Sequence, residues 1–129
     1  MELSQQHKLS DWEIKWEKYK HLIEPAVDRQ DLYTLSDVRD KIAEGSFLLW
    51  TGTRSAMITE FVIFPRKTIC NLIFCGGDLQ ELLSMTTYIE QFAKDVGCSR
   101  FYGGGRPGWL RKLKQHGWKS EFLISKELT

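Results

Sequence analysis

The stretch from Ile69 to Trp118 constrains the fold most. It reads as a strand (Ile69–Cys75), a glycine pair (Gly76-Gly77), a long amphipathic helix (Asp78–Val96) and a second strand (Arg100–Tyr102). That strand runs into Gly103-Gly104-Gly105 and then a short helix closed by Gly117-Trp118. In the long helix Leu79, Leu82, Leu83, Thr86, Ile89, Ala93 and Val96 keep one face apolar. Asp78 stands as its N-cap, Glu81 follows three residues on as in a capping box, and Gly97 closes it. A strand–helix–strand unit of this length favours a parallel, right-handed crossover. A strand that runs through glycines into a helix N-terminus is also a place where an anion can be held.

The residues on either side supply the support. Residues 1–10 are polar and expected to be frayed. Asp11 can cap a helix beginning at Trp12, in which Trp12, Ile14, Trp16, Tyr19, Leu22 and Ile23 recur at roughly helical spacing; Pro25 should end or kink it. A second helix is expected over Asp37–Ala43, capped by Thr34 or Ser36 and closed by Gly45. Three strands follow: Phe47–Trp50, Ala56–Phe64 (stopped by Pro65) and Thr68–Cys75. Their connections are short enough for an antiparallel meander. Toward the C-terminus, Pro107 suits the first turn of a helix with Trp109, Leu110 and Leu113 on its buried side, and Lys119–Leu128 reads as a final strand or hairpin arm. The sum is α+β: a single domain over residues 1–129, with a central mixed, mostly antiparallel sheet flanked by helices. The sheet changes direction between the third strand and the strand at Arg100. Strands that splay there leave a cleft, and ligands gather at such points.

Charge narrows the partners. The net charge of +1 argues against wholesale binding to nucleic acid or an anionic membrane. The charge is uneven, however: residues 1–99 carry 11 basic and 15 acidic side chains, a balance of −4, whereas residues 100–129 carry seven basic and two acidic, a balance of +5. That basic end is either a solvated face or a surface for an anionic ligand or partner. Cys70, Cys75 and Cys98 form no Cys-x-x-Cys pair and fit buried thiols in a reducing, cytoplasmic setting. The first residues contain no apolar signal-like run, and no apolar stretch approaches the ~20 residues of a membrane span. His7, His21 and His116 show no metal-ligand spacing.

Each candidate site residue has two readings. Gly76-Gly77 before Asp78 can cradle a phosphate at the helix N-terminus, or it is a tight strand-to-helix turn whose donors Asp78 occupies. Glu60 is the one charge inside its strand. Partly buried, it would have a raised pKa and serve as general base toward an amine; at an exposed face it would only solubilise the sheet. Arg106, Arg111 and Lys112 can reach anionic groups or form a solvated helix face. Trp109 and Trp118 pack in the core or stack on a ring. Cys75 and Cys98 have no His placed by sequence to activate them.

From about Leu32 onward this element order resembles the GNAT N-acetyltransferase superfamily. In that family the glycine-containing loop before the long helix holds the pyrophosphate of acetyl-CoA, and here it corresponds to Gly76-Gly77-Asp78-Leu79-Gln80. The resemblance implies an acetyl-CoA site drawn from Phe74, Cys75, Gly76, Gly77, Asp78, Leu79, Arg106 and Trp109, with Glu60 as catalytic base. The departures are specific. No Gln or Arg leads the glycines, Asp78 places a negative charge beside them, and aligning the family's final Gly-Phe on Gly117-Trp118 puts Leu113 where a general-acid Tyr belongs. A closer resemblance is to small phage proteins, among them internal virion proteins of short-tailed phages. It rests on Gly45-Ser46-Phe47-Leu48-Leu49-Trp50, Phe64-Pro65, Gly76-Gly77, Gly97-Cys98 and Gly105-Arg106-Pro107-Gly108-Trp109. Two functions follow as expectations. One is a non-catalytic, phage-derived protein with a degenerate acetyl-CoA site that acts in virion assembly or as an interaction partner of phage or host proteins. The alternative is an active N-acetyltransferase that transfers an acetyl group to an amine.

Overall fold

The computed structural model describes residues 9–104 and 107–128. Helix α1 spans Asp11–Gln30. Its cap is Ser10, one residue before the expected Asp11: the Ser10 N–H and hydroxyl both donate to Glu13 Oε1, at 3.1 and 2.9 Å. Of the two effects expected of Pro25, ending the helix does not occur: α1 runs through it to Gln30. Pro25 stands on the exposed side, where a missing N–H is least costly. Ile23, Ala26 and Val27 around it are buried, and that tertiary packing outweighs the local propensity. Helix α2 (Leu35–Glu44) starts at Thr34, whose hydroxyl accepts from the Asp37 N–H at 3.1 Å while the Asp37 carboxylate accepts from the Thr34 N–H at 2.8 Å. Gly45 closes it in a left-handed conformation.

Strands β1 (Leu48–Thr51), β2 (Ser55–Ile63), β3 (Thr68–Gly77) and β4 (Arg100–Gly103) form one sheet in the order β1-β2-β3-β4. The first three are an antiparallel meander, and β4 joins β3 in parallel. The connection is α3 (Leu79–Asp95), the crossover helix expected from the sequence. Helix α4 (Pro107–Leu113) and a 3₁₀ turn (Lys114–His116) follow. Lys119–Leu128 is in neither strand nor helix, which corrects the expected final strand.

Strand alternation divides the core in two. Ala56, Ile58 and Phe74 pack with Trp16, Ile23, Val27, Val38, Ile42 and Phe47 under α1 and α2. Met57, Cys70 and Leu72 pack with Leu82, Met85, Ile89 and Ala93 under α3. Trp16 is buried and builds the core. Among the described residues no helix is long and apolar enough to cross a membrane, and no group of three His, Cys, Asp or Glu side chains is placed to hold a metal.

Candidate functional site

The β2–β3 ladder shifts register between Ile58 and Thr59: Ile58 faces Phe74, but Thr59 faces Leu72. Ile73 is therefore the extra residue of a β-bulge. Ile73 and Phe74 both pack on the α1 side, so the alternation is broken there. The parallel β3–β4 pairing ends at the same place, since Leu72↔Gly103 is its last pair. From Ile73 onward, among the described residues, β3 has no strand on that side. Strand β4 ends at Gly103, so the opening expected at the change of direction lies where β3 runs on alone, and the bulge is at the same level.

The cleft so opened has a volume of about 470 Å³. Ile73, Cys75, Gly76 and Gly77 form one wall; Ala26, Arg29 and Gln30, from the last turns of α1, form another; Gly104 and Trp109 close the side. Gln30 Nε2 donates to the Ile73 carbonyl at 2.8 Å, so a side chain takes one of the backbone acceptors that β4 leaves unpaired. Arg29 and Gln30 were missed from sequence because Pro25 was expected to end or kink their helix.

Both cleft glycines have architectural causes. A Cβ on Gly76 would lie 2.9 Å from the Leu22 carbonyl carbon and closer still to its oxygen, so the α1 backbone fills the space a side chain would need. Gly77 has φ of 127°, and a Cβ there would sit 2.6 Å from the Ser55 Cα. The helix N-terminus beyond them is not capped as expected. The Asp78 carboxylate makes no bond to the first-turn N–H groups and pairs instead with Arg54 at 2.9 Å. Glu81 does not reach back to Asp78 but accepts from the Thr53 and Arg54 N–H groups, at 2.8 Å each. The Asp78 N–H donates to Ser55 Oγ at 3.0 Å. These contacts clasp the β1–β2 turn to the start of α3, and Tyr19 holds the same turn from α1 by donating to the Gly52 carbonyl at 2.6 Å. The Ser55 hydroxyl and the two backbone N–H groups hold the Glu81 carboxyl below the usual carboxylate range. Hydrogen bonding to Asp78 raises the Arg54 guanidinium.

The remaining expected site residues separate. Cys75, Gly76, Gly77 and Trp109 line the cleft. Phe74 does not: it is buried, with its ring edge-on to Tyr33 at 5.9 Å. Asp78 and Leu79 lie outside the lining. Glu60 is opposite Asn71 on β2, accepts from Asn71 Nδ2 at 3.3 Å, and is likewise not in the lining. Four residues of strand, roughly 13 Å, separate Asn71 from Cys75. Arg106 falls outside the described residues. Trp118 packs on Phe101, ring centroids 4.8 Å apart, away from the cleft. Burial pushes Cys70 up to about 11, the neighbouring Cys98 adding to it, and burial raises Cys98 as well, so both are protonated thiols at neutral pH.

Acetyl-CoA, the group implied by the superfamily resemblance, fits this site only in part. The cleft is open, Trp109 offers it a flat apolar wall and Arg29 one cation. The pyrophosphate cradle does not fit: Gly76 is filled by α1, Gly77 by the β1–β2 turn, and a carboxylate stands at the helix N-terminus.

No protein-family model matches the sequence, and no curated protein matches it. Solved structures do. A point mutant of TTHA1254 from Thermus thermophilus superposes with a TM-score of 0.57 at 16% identity, over 75% of this chain and 80% of that one. Wild-type TTHA1254 gives 0.55 at 16% identity, over 74% and 79%. At that identity the likeness is one of fold alone.

Proposed function

We propose that the chain is a non-catalytic interaction protein on a GNAT-like scaffold, with a degenerate acetyl-CoA cleft. One observation carries this reading. Among the described residues the cleft lining contains no carboxylate, histidine or tyrosine; its ionisable side chains are Arg29 and Cys75. Amine acetylation needs a group or ordered water to take a proton from the amine and return one to the leaving thiolate. Glu60 is not in the cleft lining, and the superfamily resemblance puts Leu113 where its general acid would stand. The two glycines most suggestive of a phosphate loop are explained by packing. The resemblance to internal virion proteins of short-tailed phages directs the interaction toward phage assembly or host proteins, in the cytoplasm of the host or in the particle.

The alternative, an active N-acetyltransferase, is favoured by one feature: the cleft is open rather than filled by Phe74 or Leu113. A paired assay separates the two. Thermal shift with CoA and acetyl-CoA up to about 1 mM reports binding to the folded state, and thiol release with a panel of amines reports transfer. The proposal expects no amine-dependent thiol release, with or without a thermal shift. Turnover that Gly104→Trp abolishes by blocking the cleft would establish the alternative.

A further inference from the structure

The β2–β3 hairpin ends in an apolar tip flanked by cations. The Phe64 N–H donates to the Lys67 carbonyl at 2.8 Å, so Pro65 and Arg66 form a tight turn. Ile63 is 82% exposed and Phe64 49%. The last turn of α3 comes down beside the base of this hairpin. The Cys98 N–H donates to the Ala93 carbonyl at 2.9 Å, and the Ser99 N–H to the Thr68 carbonyl at 3.0 Å. Two more apolar side chains are thereby brought to the same end, Phe92 at 39% and Val96 at 49% exposure. Phe92 stacks on Phe61, ring centroids 6.1 Å apart. Strand alternation puts Ile63 on the same face as Phe61, one step nearer the turn. An apolar row from Phe92 through Phe61 to Ile63 thus runs out to the tip and stops in solvent.

The charges around it are of one sign. Arg66 and Lys67 stand in the turn, Lys94 in the last turn of α3 and Arg100 at the start of β4, all exposed. Among the described residues none of the four makes an ion pair. Arg100 donates to the Tyr102 hydroxyl at 2.9 Å. The acids nearest to them in sequence hold side-chain amides: Glu60 accepts from Asn71 at 3.3 Å, and Asp95 from Gln91 at 2.9 Å. Four cations less Asp95 leave a local charge of +3, on a chain whose net charge is +1. Any attraction to an anionic surface is therefore concentrated at this end and not spread over the molecule.

Shape narrows the partner. Ile63, Phe64, Phe92 and Val96 line neither the cleft nor the smaller groove beside β4. They stand on a turn and a helix end, so a folded protein partner would have to supply the pockets. A bilayer interface receives such side chains without a preformed shape, and its anionic headgroups take the cations beside them. We propose that this end of the chain docks peripherally on an anionic lipid surface, with Ile63 and Phe64 seated among the headgroups and Arg66, Lys67, Lys94 and Arg100 against their phosphates and carboxylates. The proposal goes beyond the interaction-protein reading and does not depend on the cleft.

The test is co-sedimentation of the full chain with vesicles of phosphatidylcholine alone and with about 30% phosphatidylserine. The expected result is partition into the mixed vesicles at about 1 mM lipid or below, little into the neutral ones, and weakening as salt rises. Each cation near an anionic surface is worth about fivefold in partition, so Arg66→Gln/Lys67→Gln should weaken binding about 25-fold. Ile63→Ser/Phe64→Ser should weaken it on the order of 100-fold. Amide exchange at 63–68 should slow when vesicles are added, and exchange at 122–128 should not. No partition into either vesicle, equal partition into both, or binding indifferent to both double variants overturns the proposal. So does protection at 122–128 in place of 63–68. Retention on poly-glutamate without partition into vesicles marks an acidic protein surface as the partner and also overturns it. Circular dichroism checks the variants. If Ile63→Ser/Phe64→Ser fails to fold, Ile63→Ser alone, at the most exposed of these positions, carries that arm, with a weakening on the order of tenfold.

Discussion

Gly76→Ala tests what the glycine pair is for. If Gly76 exists to let a ligand approach, adding a methyl group leaves the fold intact and weakens binding. If it exists to let α1 approach β3, the fold suffers first. A Cβ at Gly76 would lie 2.9 Å from the Leu22 carbonyl carbon, with the oxygen nearer. Carbon atoms pack without repulsion at about 3.5–4.0 Å. The obstacle is backbone within a helix, so no rotamer change relieves it. To restore that spacing α1 must move outward by roughly an ångström, and Ile23, Ala26 and Val27, all buried on that face, must move with it. Overpacking of this kind costs about 1–3 kcal/mol, and a rigid neighbour places this case near the upper end, about 3 kcal/mol. For a chain of this length that is a fall in Tm on the order of 10 °C. Gly104→Ala is the internal control: it is also in the cleft, but its Cβ would meet nothing within 4 Å. Differential scanning fluorimetry and urea titration of both variants decide the matter. A Gly76→Ala protein as stable as Gly104→Ala would refute the close-approach argument and return the pair to a ligand-binding role.

Two further outcomes are expected. Backbone and hydroxyl donors lower the pKa values of Glu13, Asp37 and Glu81 in the folded chain. The native state then binds fewer protons than the unfolded chain, so the stability these groups contribute is complete above their unfolded values, 4.5 for Glu13 and Glu81 and 3.8 for Asp37, and is lost as pH falls through the lower folded values. A Tm series from about pH 7 to pH 3 should be flat at first and then fall below about pH 4.5; Glu81→Gln should flatten part of that fall, and an unchanged profile would refute the clasp. Phe74→Leu should lower stability by about 1–2 kcal/mol, because a buried ring in contact with Tyr33 leaves a void. Any thermal shift produced by acetyl-CoA should keep its size in this variant; a lost shift at unchanged Tm would place Phe74 in the site after all.

The fold was legible where its causes are local. The meander follows from short connections at Gly52 and at Pro65–Lys67, the parallel fourth strand from the length of α3, and α2 from Thr34, Asp37 and Gly45. Failures occurred where a distant group decides. Pro25 is a helix terminator by propensity, but burial of Ile23, Ala26 and Val27 carries α1 through it. That one misjudged boundary hid Arg29 and Gln30, and Gln30 acts on Ile73, 43 residues away. Lys119–Leu128 carries a strand pattern, but a pattern cannot supply the edge to pair with.

The capping box shows the same limit in the site itself. The spacing of Asp78 and Glu81 is that of a reciprocal cap, and both residues do use their carboxylates at the start of α3. Their partners, however, come from the β1–β2 turn: Arg54 for Asp78, and the Thr53 and Arg54 N–H groups for Glu81. A sequence motif specifies a carboxylate and its position, but not which donor the tertiary fold will bring to it. The glycine pair has the same ambiguity, since a phosphate and a helix backbone both require the absence of a Cβ. At Gly76 the Leu22 carbonyl meets that requirement without a ligand. The residues that most resemble a cofactor loop therefore argue only weakly for a cofactor. A case for acetyl-CoA has to rest on Arg29, Trp109 and the open cleft, which only the folded chain brings together.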